Sequence, residues 1–381
     1  QHEKNPRTAL QINDVIISTV GTIGNCAVVD ETILPANSDR HVGIIRIQNE
    51  FKSYFISTFV ISSYGKFQSL RESTGNVQLN LFIYKIKTIK IPLLSKGFHK
   101  NIENRVRLAH QLLKQSKIIY SEAEDLLLSK LNLKDWQPTE ETIVVKSFAD
   151  SYLVSDRFDA EYYQLKYEQA EKALQECGFP NQNLGSLIEP IQNGFDFREF
   201  TEEGTHYIRV GDIKQGKIDT AGAVKVPITI ADVDKPVGLQ IGDILFTRKG
   251  SFGNSAVVTE LELEGIISSE IMLLRLNSIA KSMILPEYIS LFINSKFGYL
   301  QIERRVHGVA YYSISQADLA DVLIPIVPMP DQEKIVQKIK SSFALKLKSK
   351  QLLEIAKTGV ERAIETDEAT ATNWMNQQLE D

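Results

Sequence analysis

The chain has little of what usually betrays a chemistry. Of its 381 residues only two are cysteine, Cys26 and Cys177, and six are histidine. Two cysteines build no disulfide framework, and no histidine stands at ligand spacing from them, so a patterned zinc site is excluded. No apolar run reaches the roughly 18 residues that cross a bilayer, and the N-terminus lacks the basic-then-apolar layout of a secretion signal. A cytoplasmic location without membrane contact is the expectation. Neither sign of charge dominates: 43 lysines and arginines face 48 acidic residues, a net charge of −5. The total therefore announces no polyanionic partner, while 43% hydrophobic and 24% charged residues exclude disorder and collagen. The motifs HExxH, GxSxG and Asp/Asn-Pro-Pro-Tyr are absent. Gly211 to Ile218 imitates a phosphate-binding GxxxxGK loop, but Ile218 stands where a magnesium-binding Ser or Thr is needed, and a turn follows instead of a helix. The sequence predicts no catalytic constellation, no metal and no cofactor.

What the chain does have is itself, twice. LQINDVIISTVGTIGNCAVVDE at 10–31 and LQIGDILFTRKGSFGNSAVVTE at 239–260 agree at 11 of 22 positions, at an offset of 229. Further on the offset settles at 233, pairing Phe59 with Phe292, Ser62 with Ser295, Gly65 with Gly298, Gln68 with Gln301, Arg71 with Arg304, Gly75 with Gly308 and Pro92 with Pro325. A period this long is duplication of a whole domain rather than a solenoid. Each copy opens with β-branched runs around GTIGN or GSFGN, the pattern of a β-hairpin. The glycines fit a turn first and a phosphate cradle only second. Cys26 aligns with Ser255, which argues against a repeated role for the thiol.

Each copy then runs into a long helix. Ile102, Val106, Ala109, Leu113, Ser116, Tyr120, Ala123 and Leu127 follow alternating four- and three-residue steps, the seam of a coiled coil. After Pro330 and Asp331, a looser stripe runs through Ile335, Ile339, Phe343, Leu347, Leu353, Ala356 and Val360. The simplest reading packs the two helices on each other; the alternative lays each on its own domain. Nine basic residues against Glu103 between Lys85 and Lys117, and eight against four acids between Glu333 and Glu365, suit a DNA backbone or simply a solvated face.

The runs GDILFTRKGSFGNSAVV, YIRVGDI, RFDAEYY (157–163) and IPIVPMPDQEKIVQKI (324–339) resemble the DNA specificity subunit of type I restriction-modification systems. The resemblance implies an α+β fold in which two duplicated target-recognition domains are separated by long helices forming an antiparallel coiled coil. On that plan the first recognition domain occupies 1–98 and its spacer helix 99–133. A linker and helical lead-in fill 134–183, the second recognition domain 184–330, its helix 331–365 and an acidic tail 366–381. The first domain is expected to lack roughly 80 residues at its front, as a fragment or as a domain completed by another chain. The implied protein is no enzyme: it binds double-stranded DNA at a bipartite asymmetric target and positions adenine methyltransferase subunits, with a restriction/translocase subunit as a further candidate partner. Implied DNA contacts are Arg248, Lys249, Ser251 and Asn254 on the second hairpin, with Arg304, Arg305 and Tyr312 on a later loop. Their first-domain counterparts are Thr19, Thr22, Asn25, Arg71, Asn76 and Gln78. Two rival readings remain open: the recognition region of a single-chain restriction-methylation enzyme, or a coiled-coil adaptor that binds protein only.

Overall fold

The computed structural model describes residues 5–47, 52–139, 143–228, 238–308 and 311–378. The chain divides into two compact units, one formed by Gln1–Lys117 with Ser342–Asp381 and the other by Ile118–Ser341.

In the first unit, strands β1 (Val15–Ser18), β2 (Cys26–Val28) and β3 (Val42–Ile45) form an antiparallel sheet in the order β2-β1-β3. Helices α1 (Ser53–Ile61), α2 (Ser63–Glu72) and the short α3 (Ile83–Ile86) follow, and then α4 (Lys96–Lys130), which continues into the second unit. The second unit leads in through α5 (Tyr152–Ser155) and α6 (Leu165–Gln175), then β4 (Asn181–Asn183), α7 (Leu184–Leu187) and β5 (Gln192–Asn193). A small sheet follows, built of β6 (Thr205–Ile208) and β9 (Val224–Val226) around the hairpin β7 (Ile213–Lys214) and β8 (Lys217–Ile218). The second copy of the frame is β10 (Ile244–Thr247), β11 (Ser255–Val257), β12 (Ile266–Ile267) and β13 (Ile271–Leu274), with helices α8 (Pro286–Asn294), α9 (Lys296–Arg305) and α10 (Gln316–Ala320). Its main sheet runs β11-β10-β13-β5, β12 pairs parallel to β6, and β14 (Leu323–Pro325) pairs with β4. The chain closes with α11 (Met329–Glu365) and α12 (Glu368–Gln377).

The repeat is a repeat of fastenings as well as of strands. Asp14 accepts from Arg46 at 2.8 and 2.7 Å and caps Gln11 N, while Asp243 does the same with Arg275 and Gln240 N at matching distances. Ser62 and Ser295 each cap the helix that starts one residue later, α2 and α9. A Cβ on Gly65 would lie 2.2 Å from the Phe59 carbonyl oxygen, and one on Gly298 equally far from that of Phe292, so both elbows need glycine. The Gln68 amide exchanges two hydrogen bonds with the backbone of Lys90, and Gln301 does so with Leu323. The side chain closes a main-chain gap that no ladder spans, satisfying groups that would otherwise stay unpaired.

The long helices pair within each unit. In the first, Ser349 Oγ donates to the Ala109 carbonyl and Ser342 Oγ to that of Ser116. In the second, Lys338 meets Glu122 at 2.7 Å and Lys130 meets Asp331 at 2.9 Å. Rising numbers on α4 meet falling numbers on α11, so the pair is antiparallel, and the reading of two separate amphipathic helices is set aside. Ile102, Val106, Ala109, Ser116, Ala123 and Leu127 are buried as the spacing predicts. The expected stripe on α11 needs correction: Leu347 is 55% exposed, and the seam passes instead through Ser342, Ser349 and Leu352. Serine costs nothing there because its hydroxyl is satisfied by the opposing carbonyl, a local device invisible to a count of apolar residues.

Residues 366–378, expected as part of an acidic tail, largely form α12, whose Ala371 and Met375 join the first unit's core with Phe55, Phe59 and Ile102. The acids cap rather than repel. Glu361 accepts from Ser63 N at the start of α2, and Glu368 accepts from Ser95 N at the start of α4, where helix N-termini favour negative charge. Residues 379–381 lie outside the described residues.

Candidate nucleic-acid interface

The second hairpin turns at Gly250 and Gly253, both at positive φ, as Gly21 and Gly24 are in the first. Inside each turn a β-strand hydroxyl organises the loop. Thr247 Oγ1 donates to the Ser251 carbonyl and accepts from Asn254 N, and Ser18 holds the Thr22 carbonyl and Asn25 N in the same way. Gly253 N and Asn254 N, like Gly24 N and Asn25 N, are thus taken up inside the turn, which supports its structural role.

A second loop is tied to each tip. His307 and Ser313 pair through both backbone bonds, Lys249 bridges Ser313, and Ile314 N donates to the Arg248 carbonyl at 3.1 Å. In the first unit Thr74 pairs with Asn80, Val20 bridges Asn80, and Leu81 N donates to the Thr19 carbonyl. Gly75 and Gly308 make the bend, at φ of 123° and 114°.

Around these tips the expected contact residues separate into groups. Lys249, Ser251 and Tyr312 are exposed, Arg248 and Asn254 are half-buried, and Lys249 lies 3.6 Å from Glu270. Phe252 sits between Tyr299, stacked at 6.1 Å, and Tyr312, edge-on at 6.0 Å, so the second loop packs on the hairpin tip. Arg304 and Arg305 are placed differently from the expectation: they end helix α9 rather than lie on a loop. Arg304 meets Glu171 at 2.7 Å and Arg305 meets it at 2.9 Å, their side chains only 11% and 16% exposed. In the first unit Thr22, Asn25, Asn76 and Gln78 are exposed around one tip, whereas Thr19 is buried. Arg71 lies on α2, its side chain 67% exposed and 3.4 Å from Glu72.

The sequence did not point to a cavity of about 800 Å³ beside the second tip, lined among others by Arg198, Phe200, Arg209, Arg248, Lys249 and Glu270. Its wall is the small sheet of the second unit. Tyr207 is buried there with its hydroxyl donating to the Phe195 carbonyl at 2.6 Å, and that burial raises its pKa. Arg209 stands 5.8 Å over the Phe200 ring. The available signal was the mixture of aromatics and arginines in GFDFREF and YIRV, upstream of the repeat that starts at Leu239. Cations, a stacking ring and carboxylate acceptors in one concave surface can take both phosphates and base edges.

Other candidates are retired by geometry. The GxxxxGK look-alike is the β7–β8 hairpin, turning at Gly216 with φ 72°. Burial pushes the Cys26 thiol up to about 12, so it stays protonated and unreactive near neutrality. The basic run before Lys117 is partly neutralised, since Lys85 pairs with Glu72 and both Lys100 and Arg107 pair with Glu103. Among the described residues no helix is long and apolar enough to cross a membrane.

Residues 183–357, which hold this frame, its cavity and much of α11, match the family model of the type I restriction modification DNA specificity domain. The similarity to that family spans 175 of the 381 residues. Similar solved structures include the S subunit of a type I restriction-modification system from M. genitalium, with 13% identity and a TM-score of 0.37 over 98% of this chain and 83% of that one. Another, from work on complex assembly and conformational transition of the type I R-M system, has 14% identity and a TM-score of 0.32 over 94% and 83% of the two chains. Comparison with curated proteins gives no match. A specificity domain selects DNA and has no catalytic step of its own, which sets the retired motifs above in place.

Proposed function

We propose that this specificity subunit reads a bipartite DNA target, one half-site per hairpin frame, and positions adenine methyltransferase subunits, with a restriction/translocase subunit as a further partner, in the cytoplasm. The observation that carries the reading is a pair of matched frames bearing different tips. The ties are identical in kind, yet Arg248 and Lys249 stand where the first copy has Thr19 and Val20. Frames fixed alike with tips that differ should present different donor and acceptor patterns to the major groove, where all four base pairs are distinguishable. In the second unit the contacts are Arg248, Lys249, Ser251, Asn254 and Tyr312 with the cavity arginines Arg198 and Arg209; in the first they are Thr22, Asn25, Arg71, Asn76 and Gln78, with buried Thr19 shaping the turn. Arg304 and Arg305 are assigned to holding α9 on α6.

The test is the methylated sequence. The wild-type assembly should methylate one two-part motif, and Arg248→Ala should relax the second part by about 1–3 kcal/mol of discrimination while leaving the first unchanged. Equal relaxation of both parts would show that the two frames do not read separately.

A further inference from the structure

The RFDAEYY run at 157–163 packs against the loop that follows α9, and that place in the fold gives it a task. Arg157 is half-buried, its side chain 12% exposed, and clamped in two-pronged fashion by Asp159. Asp159 keeps Arg157 charged, and Arg157 in turn holds the Asp159 carboxyl below the usual carboxylate range. With its plane so fixed, the guanidinium donates from Nη2 to the Val306 carbonyl at 3.0 Å and places Nη1 3.4 Å from His307 Nε2. The same Nε2 lies 3.1 Å from Asp318 Oδ2, which also accepts from Ser315 Oγ. Tyr162 underlies the arrangement, its ring 4.6 Å from Arg157 and 4.5 Å from Arg304, and Tyr163 donates its hydroxyl to the Arg157 carbonyl.

We propose that Arg157 is a positioning residue for second half-site reading: it fixes the backbone at Val306 and His307, and through their pairing with Ser313 it fixes Arg248 and Lys249. The chain of contacts is short and entirely polar: Arg157 to Val306, His307 to Ser313, Ser313 to Lys249, and Ile314 to Arg248. Hydrogen bonds to base edges tolerate little displacement, so a loop loosened at its root should lose discrimination before it loses phosphate contacts. Lysine cannot replace this arginine, because a point charge cannot chelate Asp159 and at the same time present a planar donor to the carbonyl.

The inference rests on the reading that the second frame recognises DNA, so it is tested in two arms on the full assembly. Without DNA, Arg157→Ala and Arg157→Lys should speed hydrogen exchange at the His307, Ser313 and Ile314 amides at least tenfold, with the α4–α11 pair unchanged. With DNA, both variants should lower discrimination at the second half-site about 10- to 100-fold while first half-site discrimination and binding to non-specific duplex stay as in wild type. A wild-type assembly without half-site discrimination would sink the functional reading alone. Wild-type discrimination in both variants, or unchanged exchange at the three amides, would overturn the positioning role. Full rescue by lysine would also overturn it, since charge alone would then suffice. Should Arg157→Ala fail to fold, Asp159→Asn, which keeps the shape and removes the clamp's charge, must give the same split.

Discussion

The two copies of the hairpin frame differ less in their fastenings than in what covers them. Ile16, Ala27 and Ile44 in the first copy hold the places of Leu245, Ala256 and Leu273 in the second. The latter three are at most 1% exposed, packed against Ile208, Ile213, Ile218 and Ile267 from the small sheet and β12. Ile16 and Ile44 are half-buried and Ala27 is exposed. β1 therefore alternates between buried and half-buried residues, whereas β10 is buried along its whole length. One face of the frame belongs to the duplicated unit, and in the second unit the other face is a platform under the small sheet and β12. An apolar residue shared by both copies is thus no guarantee of equal burial.

The sharpest challenge to that comparison is the duplicated ion pair. Removing Asp243 leaves Arg275, 16% exposed, without its carboxylate, and should cost the second frame about 3–5 kcal/mol. Asp14→Ala should cost clearly less, because Arg46 is 49% exposed and can rehydrate. Hydrogen exchange of β10 and β1 amides reads the two separately, which a single melting curve cannot do for a chain of two units. Equal losses would mean that the second layer does not desolvate the pair.

Next in size, Leu273→Ala should destabilise by about 2–5 kcal/mol, and Ile44→Ala by less than half as much, since part of its surface already meets water. Denaturant-dependent exchange of β13 and β3 gives the ratio. A ratio near one would show the first platform to be covered in solution. The elbow glycines sharpen the comparison from the other side, because they belong to the shared layer. Gly65→Ala and Gly298→Ala meet the same carbonyl at the same distance and should each cost about 1–3 kcal/mol, with no difference between copies.

How much of this could be read from residues alone depends on the range of the interaction. The hairpins and the seam of α4 were legible because each is a local pattern or a repeat of one. The fate of Arg304 and Arg305 was not, since the carboxylate that claims them, Glu171, lies more than a hundred residues earlier on another helix. The cavity was missed for the opposite reason: much of its wall, Asn193 to Gly211, lies upstream of the repeat that starts at Leu239, outside the reach of comparison within the chain. Acids near the C-terminus looked like a solvated tail because capping depends on which helix ends come near, and nothing in the local spacing of Glu361 or Glu368 reports that.

The smallest expected difference concerns acid. His99 stacks on Phe55 at 3.9 Å in the first unit's core, and burial lowers its pKa, with Glu368 raising it and Lys52 lowering it further to lesser degrees. The unfolded chain then takes up the proton first as pH falls. The first unit's stability should be full above the ordinary histidine value of about 6.5 and decline as pH drops from there through the lowered folded value. Burial lowers the pKa of His110, beside Tyr54 of α1, as well, so exchange of α1 amides between pH 7.5 and 5.5 should show a slope that His99→Leu reduces and His99→Leu with His110→Leu removes; a slope unchanged by His99→Leu would assign it elsewhere.

The glutamine ties carry a consequence for how such a protein can change. Gln68 and Gln301 bind only main-chain groups, and so do the capping serines and the hydroxyls inside each turn. A bond to a peptide group does not ask which side chain that peptide carries. The frame therefore works as a socket, in which exposed tip positions such as Thr22 and Asn25 or Lys249 and Ser251 can be rewritten while Ile23, Phe252 and the turn glycines stay to hold the fold.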